Sequence, residues 1–130
     1  METTVSVEEK DNYLHIVSVG ERKGFEGVVT GAKSLYAAAQ SRGVNFVLMD
    51  CSRLRYVDIS NPDAFNLVRF YEQELPAFSQ IVISTIGNDE NYEIMEFWES
   101  ICLKRGYQCK VFPDYDQAKQ WLDLKMKELG

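Results

Sequence analysis

Few residues in this chain have both the type and the spacing for chemistry. His15 has no second histidine with which to share a metal, and a catalytic histidine needs an orienting partner. Cys51, Cys102 and Cys109 contain no C-x-x-C pair. Neither a zinc site nor a disulfide framework is therefore expected, and the three thiols read as small apolar fillers. No G-x-S-x-G elbow, no G-x-G-x-x-G turn and no phosphate loop ending in Gly-Lys-Ser/Thr occurs. Gly20-Glu21-Arg22-Lys23-Gly24 is charged and bounded by glycines, but its spacing fits none of these motifs and it reads as a connection. The expectation is a chain with no catalytic set, no metal and no cofactor.

The richest segment is Met49-Asp50-Cys51-Ser52-Arg53-Leu54-Arg55-Tyr56-Val57-Asp58-Ile59-Ser60. It holds a strand end, an Asp-x-Ser, an aromatic–aliphatic pair, and a second Asp-x-Ser opening a helix. Asp50 closes a strand, where α/β folds place ligands. A phospho-receiver would begin with a strand–helix unit and an acidic pair, whereas two strands open this chain. Ser60-Asn61-Pro62-Asp63 is a helix-capping sequence: Ser60 or Asn61 accepts from the first free N–H groups, worth about 1 kcal/mol, and Pro62 suits a first turn. A phosphate on Ser60 would meet the positive end of that helix. It would add about −1.5 to −2 charges beside Asp58 and Asp63. Arg53, Arg55 and Arg69 are expected to flank the same edge as a docking patch for an acidic partner or an anionic ligand.

Residues 3–8 and 13–19 alternate about the turn cluster Glu9-Lys10-Asp11-Asn12 and predict an antiparallel hairpin. From Phe25 the period becomes helical, through Val28, Val29, Ala32, Leu35, Tyr36 and Ala39, with Gly43 as a left-handed stop. Gly27 and Gly31 each weaken that helix by about 1 kcal/mol, a loss that a close approach to the sheet would explain. The run Phe46-Val47-Leu48-Met49 reads as a strand buried on both faces over residues 44–51, followed by a loop over 52–60. Phe65, Val68, Tyr71 and Leu75 mark the next helix, which Pro76 closes. A second buried strand covers 80–86. Asn88-Asp89-Glu90 then starts a helix striped by Ile94, Phe97, Trp98, Ile101 and Cys102 and ended by Lys104-Arg105-Gly106. An amphipathic edge strand at 107–112 precedes a capping box at Asp114–Gln117 and a last helix carrying Ala118, Trp121, Leu122 and Met126. The order is β-β-α-β-α-β-α-β-α. It is an α/β fold with a mixed, mostly parallel sheet, right-handed crossovers, the first strand antiparallel at an edge, and helices packed on the sheet. Phe46, Leu48, Val82, Phe97, Trp98 and Trp121 are the expected core.

The second Asp-x-Ser segment and this element order resemble the STAS domain, found in sulfate-transporter tails and in anti-sigma-factor antagonists. That family's phosphorylatable stretch runs D-x-S, a few residues, an apolar pair, then D-S-S-G. Asp58 matches its Asp and Ser60 its phosphorylated Ser. Ile59 stands at the first Ser, and Asn61-Pro62 at the Gly. The closing stretch from Phe112 to Leu122 is similar to the last strand and helix of stand-alone SpoIIAA-like proteins. The resemblance covers nearly the whole chain. It implies a SpoIIAA-like fold, and a regulatory protein-interaction module with Ser60 as candidate phosphoacceptor and Asp58, Asn61, Arg53 and Arg55 in the partner-binding loop. The implied partner is a protein, an anti-sigma-like kinase or another regulator. The same resemblance admits a small-ligand or lipid carrier with an apolar pocket. An enclosed cavity would favour the carrier; an exposed apolar patch on the second helix would favour a protein partner.

The length, 130 residues, suits one domain. Hydrophobic content of 45% excludes whole-chain disorder. The longest apolar runs are far short of the roughly 20 residues of a membrane span. Fourteen Lys and Arg against 20 Asp and Glu give −6, and nothing basic is clustered, so a nucleic-acid partner is not expected. The start Met1-Glu2-Thr3-Thr4 lacks the pattern of a secretion signal, and with unpaired thiols it suggests the cytoplasm. Composition leaves the oligomeric state open.

Overall fold

The computed structural model describes residues 3–129. Strands β1 (Thr4–Glu9) and β2 (Leu14–Lys23) form the hairpin. Helix α1 (Gly24–Arg42) leads to β3 (Phe46–Val57), and α2 (Asn61–Glu74) to a short 3-10 turn (Pro76–Gln80) and β4 (Val82–Ile86). Then follow α3 (Tyr92–Lys104), β5 (Gln108–Phe112) and α4 (Tyr115–Leu129). The sheet order is β1-β2-β3-β4-β5, antiparallel at β1 and parallel elsewhere. This is the expected α/β fold, with the antiparallel strand at an edge.

The helices divide unequally. Residues of α1, α2 and α3 share one core with Leu14, Val47, Cys51, Leu54, Ile83 and Cys109. On the opposite face α4 alone packs, through Ala118 and Leu122, on Tyr13, Leu48, Val82, Ile86 and Phe112. Helix α2 packs mainly against α1 and α3, so it rides over the gap between them. Gly43 closes α1 at φ 64°, its N–H donating to the Ala39 and Gln40 carbonyls.

Two expected loops are strand. Residues 20–23 continue β2 and residues 52–57 continue β3, paired as Gly20 with Leu54, Glu21 with Arg55, Arg22 with Tyr56 and Lys23 with Val57. A parallel ribbon thus runs past the ends of β4 and β5. It begins at a bulge: Val17 pairs with Asp50 but Val19 with Arg53, so β3 carries one extra residue. The Asp50 carboxylate accepts from the Ser52 N–H at 2.9 Å, which is what the first Asp-x-Ser does here. The extra residue shifts the alternation, so that Cys51 and Leu54 both face the three-helix core.

Beyond Ile86 the β4 side of β3 has no strand to pair with, and buried carbonyls need donors. Two asparagines supply them. Asn91 Nδ2 donates to the Cys51 and Leu54 carbonyls at 3.2 and 2.9 Å. Asn88 Nδ2 donates to Ser52 and Leu54 at 3.1 and 3.2 Å. Residues 88–90, expected as a helix start, instead form a turn, with Asn88 Oδ1 accepting from the Glu90 and Asn91 N–H groups; α3 begins at Tyr92.

Of the expected core, Leu48, Val82 and Trp98 are buried. Phe46 and Trp121 are half-buried, and Phe97 is 38% exposed. The apolar stripe of α3 centres on Met95, Trp98 and Cys102, which leaves Phe97 on its rim.

Candidate functional site

The turn between β3 and α2 is sharp. Asp58 adopts φ 55°, a left-handed conformation that Asp tolerates better than most residues. It lets the chain leave the ribbon and enter α2 within three residues. Ser60 caps α2 in a capping box with Asp63: its N–H donates to Asp63 Oδ2 at 2.9 Å and its hydroxyl to the same oxygen at 3.2 Å. Pro62 stands in the first turn and Asp63 adds a carboxylate at the positive end of the helix. Asp58, Ser60 and Asn61 are all exposed.

Further along α2, Phe65 is 40% exposed, with the Arg105 guanidinium 5.4 Å from its ring centroid. Arg105 also pairs with Glu72 at 2.8 Å. One surface therefore carries Ser60, Asn61, Phe65 and Arg69.

Arg53 and Arg55 lie elsewhere. Leu54 and Tyr56 face the three-helix layer, so alternation turns Arg53 and Arg55 to the other side of the ribbon. Arg55 there meets Glu21 at 3.6 Å and Glu90 at 3.9 Å. The arginine group expected at one edge is thus divided between two faces, with Arg69 on the α2 side.

Beneath the turn lies the feature that a ligand carrier would require. Between the sheet and α1, α2 and α3 is a partly open cavity of about 70 Å³. Its wall includes Tyr56 and Ile59 beside the turn, Ala64 and Leu67 of α2, and Trp98 of α3. Three wall residues are polar and nine-tenths or more buried: Ser18, Arg22 and Thr85. The glycines of α1 explain the position of Arg22. A Cβ on Gly27 would stand 3.1 Å from the Arg22 carbonyl carbon, and one on Gly31 2.8 Å from its guanidinium carbon. The expected close approach of α1 is thus an approach to one arginine.

Burial, only partly offset by Arg22, pushes the Cys51 thiol up to about 12. Burial likewise raises the Tyr56 hydroxyl. The three cysteines are free and buried, as fillers should be. His15 is half-buried, with Nε2 unpartnered and its ring 6.2 Å from that of Tyr115. Among the described residues no group of three or more His, Cys, Asp and Glu is placed to hold a metal, and no helix is long and apolar enough to cross a membrane.

No family model and no curated protein matches the chain. Solved structures do. An anti-sigma factor antagonist from Mycobacterium paratuberculosis aligns over 94% of this chain and 95% of its own, with TM-score 0.63 and 11% identity. An uncharacterized DUF3478-family protein with a SpoIIAA-like fold from Shewanella loihica PV-4 aligns over 92% and 93%, with TM-score 0.56 and 20% identity.

Proposed function

With a SpoIIAA-like fold as the premise, we propose that the chain is a regulatory binding module, acting by association rather than by catalysis. Its partner-facing surface is the β3–α2 turn and the outer side of α2. Ser60 is the point of control. The observation that carries this reading is the Ser60 hydroxyl: exposed, at a helix start, and bonded to the Asp63 carboxylate. The antagonist from Mycobacterium paratuberculosis, whose fold this chain shares, supports a protein as the partner.

A phosphate on Ser60 replaces a hydroxyl donor with an anion beside Asp63 and Asp58. The capping box opens, while the helix dipole and free N–H groups still accept the new charge. The fold survives and the surface changes sign, which is the behaviour of a switch. Burying that anion under a partner then costs its desolvation. The experiment is affinity purification from the source cells, followed by calorimetric titration of the captured protein. Ser60→Ala retains binding and Ser60→Asp loses it, with unchanged circular dichroism. Equal affinity for wild type and Ser60→Asp contradicts the reading.

A further inference from the structure

Arg22 is 9% exposed, and among the described residues no carboxylate lies within ion-pair distance of it. Its one hydrogen bond within the fold runs from Nη1 to the Gly27 carbonyl at 3.3 Å. A buried guanidinium without a counter-ion is costly, and proteins normally pair it. Here the fold has gone out of its way to keep it. Gly27 and Gly31 stand inside α1 against helix propensity, and at Gly31 a methyl would collide with the guanidinium itself. The wall around it is otherwise almost wholly aliphatic and aromatic.

Thr85 gives a second, independent sign. It is fully buried, its Oγ1 has no hydrogen-bond partner, and it lines the same cavity. A valine there would pack as well without an unpaired hydroxyl. A largely apolar space holding an arginine without a carboxylate partner and a buried, unpartnered Thr85 hydroxyl is the arrangement of a ligand pocket: apolar walls for contact area, few polar groups for orientation.

We infer that this cavity binds a compact apolar carboxylate, with the Arg22 guanidinium as counter-ion to its head and the Trp98 side of the cavity around its body. One guanidinium forks onto one carboxylate. A dianionic phosphate would bring a second charge into an apolar wall with nothing to balance it. A neutral alcohol would leave the arginine unpaired. The volume, about 70 Å³, holds several water-sized spheres, where one water needs about 10–15 Å³; it suits a short chain or a small ring rather than a long acyl tail.

The test is titration calorimetry with butanoate, hexanoate, octanoate and benzoate, each against its alcohol, with hexyl phosphate as the dianion. At least one acid binds wild type saturably and about tenfold or more tightly than its alcohol, and hexanoate exceeds hexyl phosphate. Arg22→Met removes the preference for acid over alcohol. Gly31→Ala, which keeps the charge but pushes the guanidinium aside, weakens the acid and spares the alcohol. Thermal melts of the free variants confirm that each is folded. The inference is overturned if no acid in the series outbinds its alcohol, if hexyl phosphate binds as tightly as hexanoate, or if the preference survives in both variants.

Discussion

Ser84 and Thr85 stand side by side on β4 and both are wholly buried, yet they face different interiors. The Ser84 hydroxyl points to the α4 side and donates to the Ala118 carbonyl at 2.8 Å. The Thr85 hydroxyl points to the three-helix side and finds nothing. The layers differ too, although the α4 side also holds one unpartnered buried atom, Nε2 of the half-buried His15 beside Tyr115. Beneath α4 the sheet carries a small cluster, closed by Leu48, Phe112 and Leu122. Beneath α1, α2 and α3 it carries the larger core, with a cavity, an unpaired arginine and two glycines that admit it. Burial alone makes a core. What sets the three-helix face apart is a buried guanidinium without a carboxylate partner at the wall of a cavity, an arrangement that stability alone does not call for.

The largest expected difference lies between the two tryptophans. Trp98 lines the cavity, is 8% exposed, and donates its indole N–H to the Tyr71 hydroxyl at 3.0 Å. Trp98→Ala is expected to cost about 3–5 kcal/mol by urea denaturation. Trp121 is half-buried against Phe112, 5.9 Å between centroids, so Trp121→Ala costs about 1–2 kcal/mol. Equal losses would erase the contrast.

Alkali should weaken the three-helix side next. The Cys51 pKa is raised from 9.0 to about 12 by burial, so the folded chain keeps a proton that the unfolded chain releases. Stability from this thiol is complete below about pH 9 and falls as pH rises toward the folded value, by about 1.4 kcal/mol per unit. Denaturation across that range is expected to show a shallower fall in Cys51→Ala than in wild type.

The paired hydroxyls come third. Ser84→Ala loses a satisfied bond and costs about 1 kcal/mol, whereas Thr85→Val removes an unsatisfied group and is neutral or stabilising by up to about 1 kcal/mol. The smallest effect belongs to the cap: Ser60→Ala costs about 0.5–1 kcal/mol and Ser60→Asp close to nothing, since both Ser and Asp cap well. Thermal melts of the four variants order these effects.

Periodicity made most of the fold legible. The opening hairpin, the crossovers and the cap at Ser60 follow from local alternation, from helical stripes and from the capping sequence Ser60-Asn61-Pro62-Asp63. The ribbon did not show, because Glu21-Arg22-Lys23 and Ser52-Arg53-Leu54-Arg55 are polar stretches that become strand only by pairing with each other. Likewise Asn88 read as a helix start because its acceptors, the Ser52 and Leu54 carbonyls, lie far away in sequence. The second site left a trace all the same. Gly27 and Gly31, one turn apart on α1, marked a close approach; what approaches is Arg22, which local sequence could not reveal.

The two faces offer their own internal control, because each holds one tryptophan and their indole N–H groups give separate signals in a proton–nitrogen correlation spectrum. Titration of the wild-type chain with hexanoate is expected to shift the Trp98 indole signal saturably and leave the Trp121 signal in place. In Arg22→Met the Trp98 shift is lost at the same hexanoate concentrations. If both indoles move together, or Trp98 stays still while the acid is bound, the three-helix face is not the binding face.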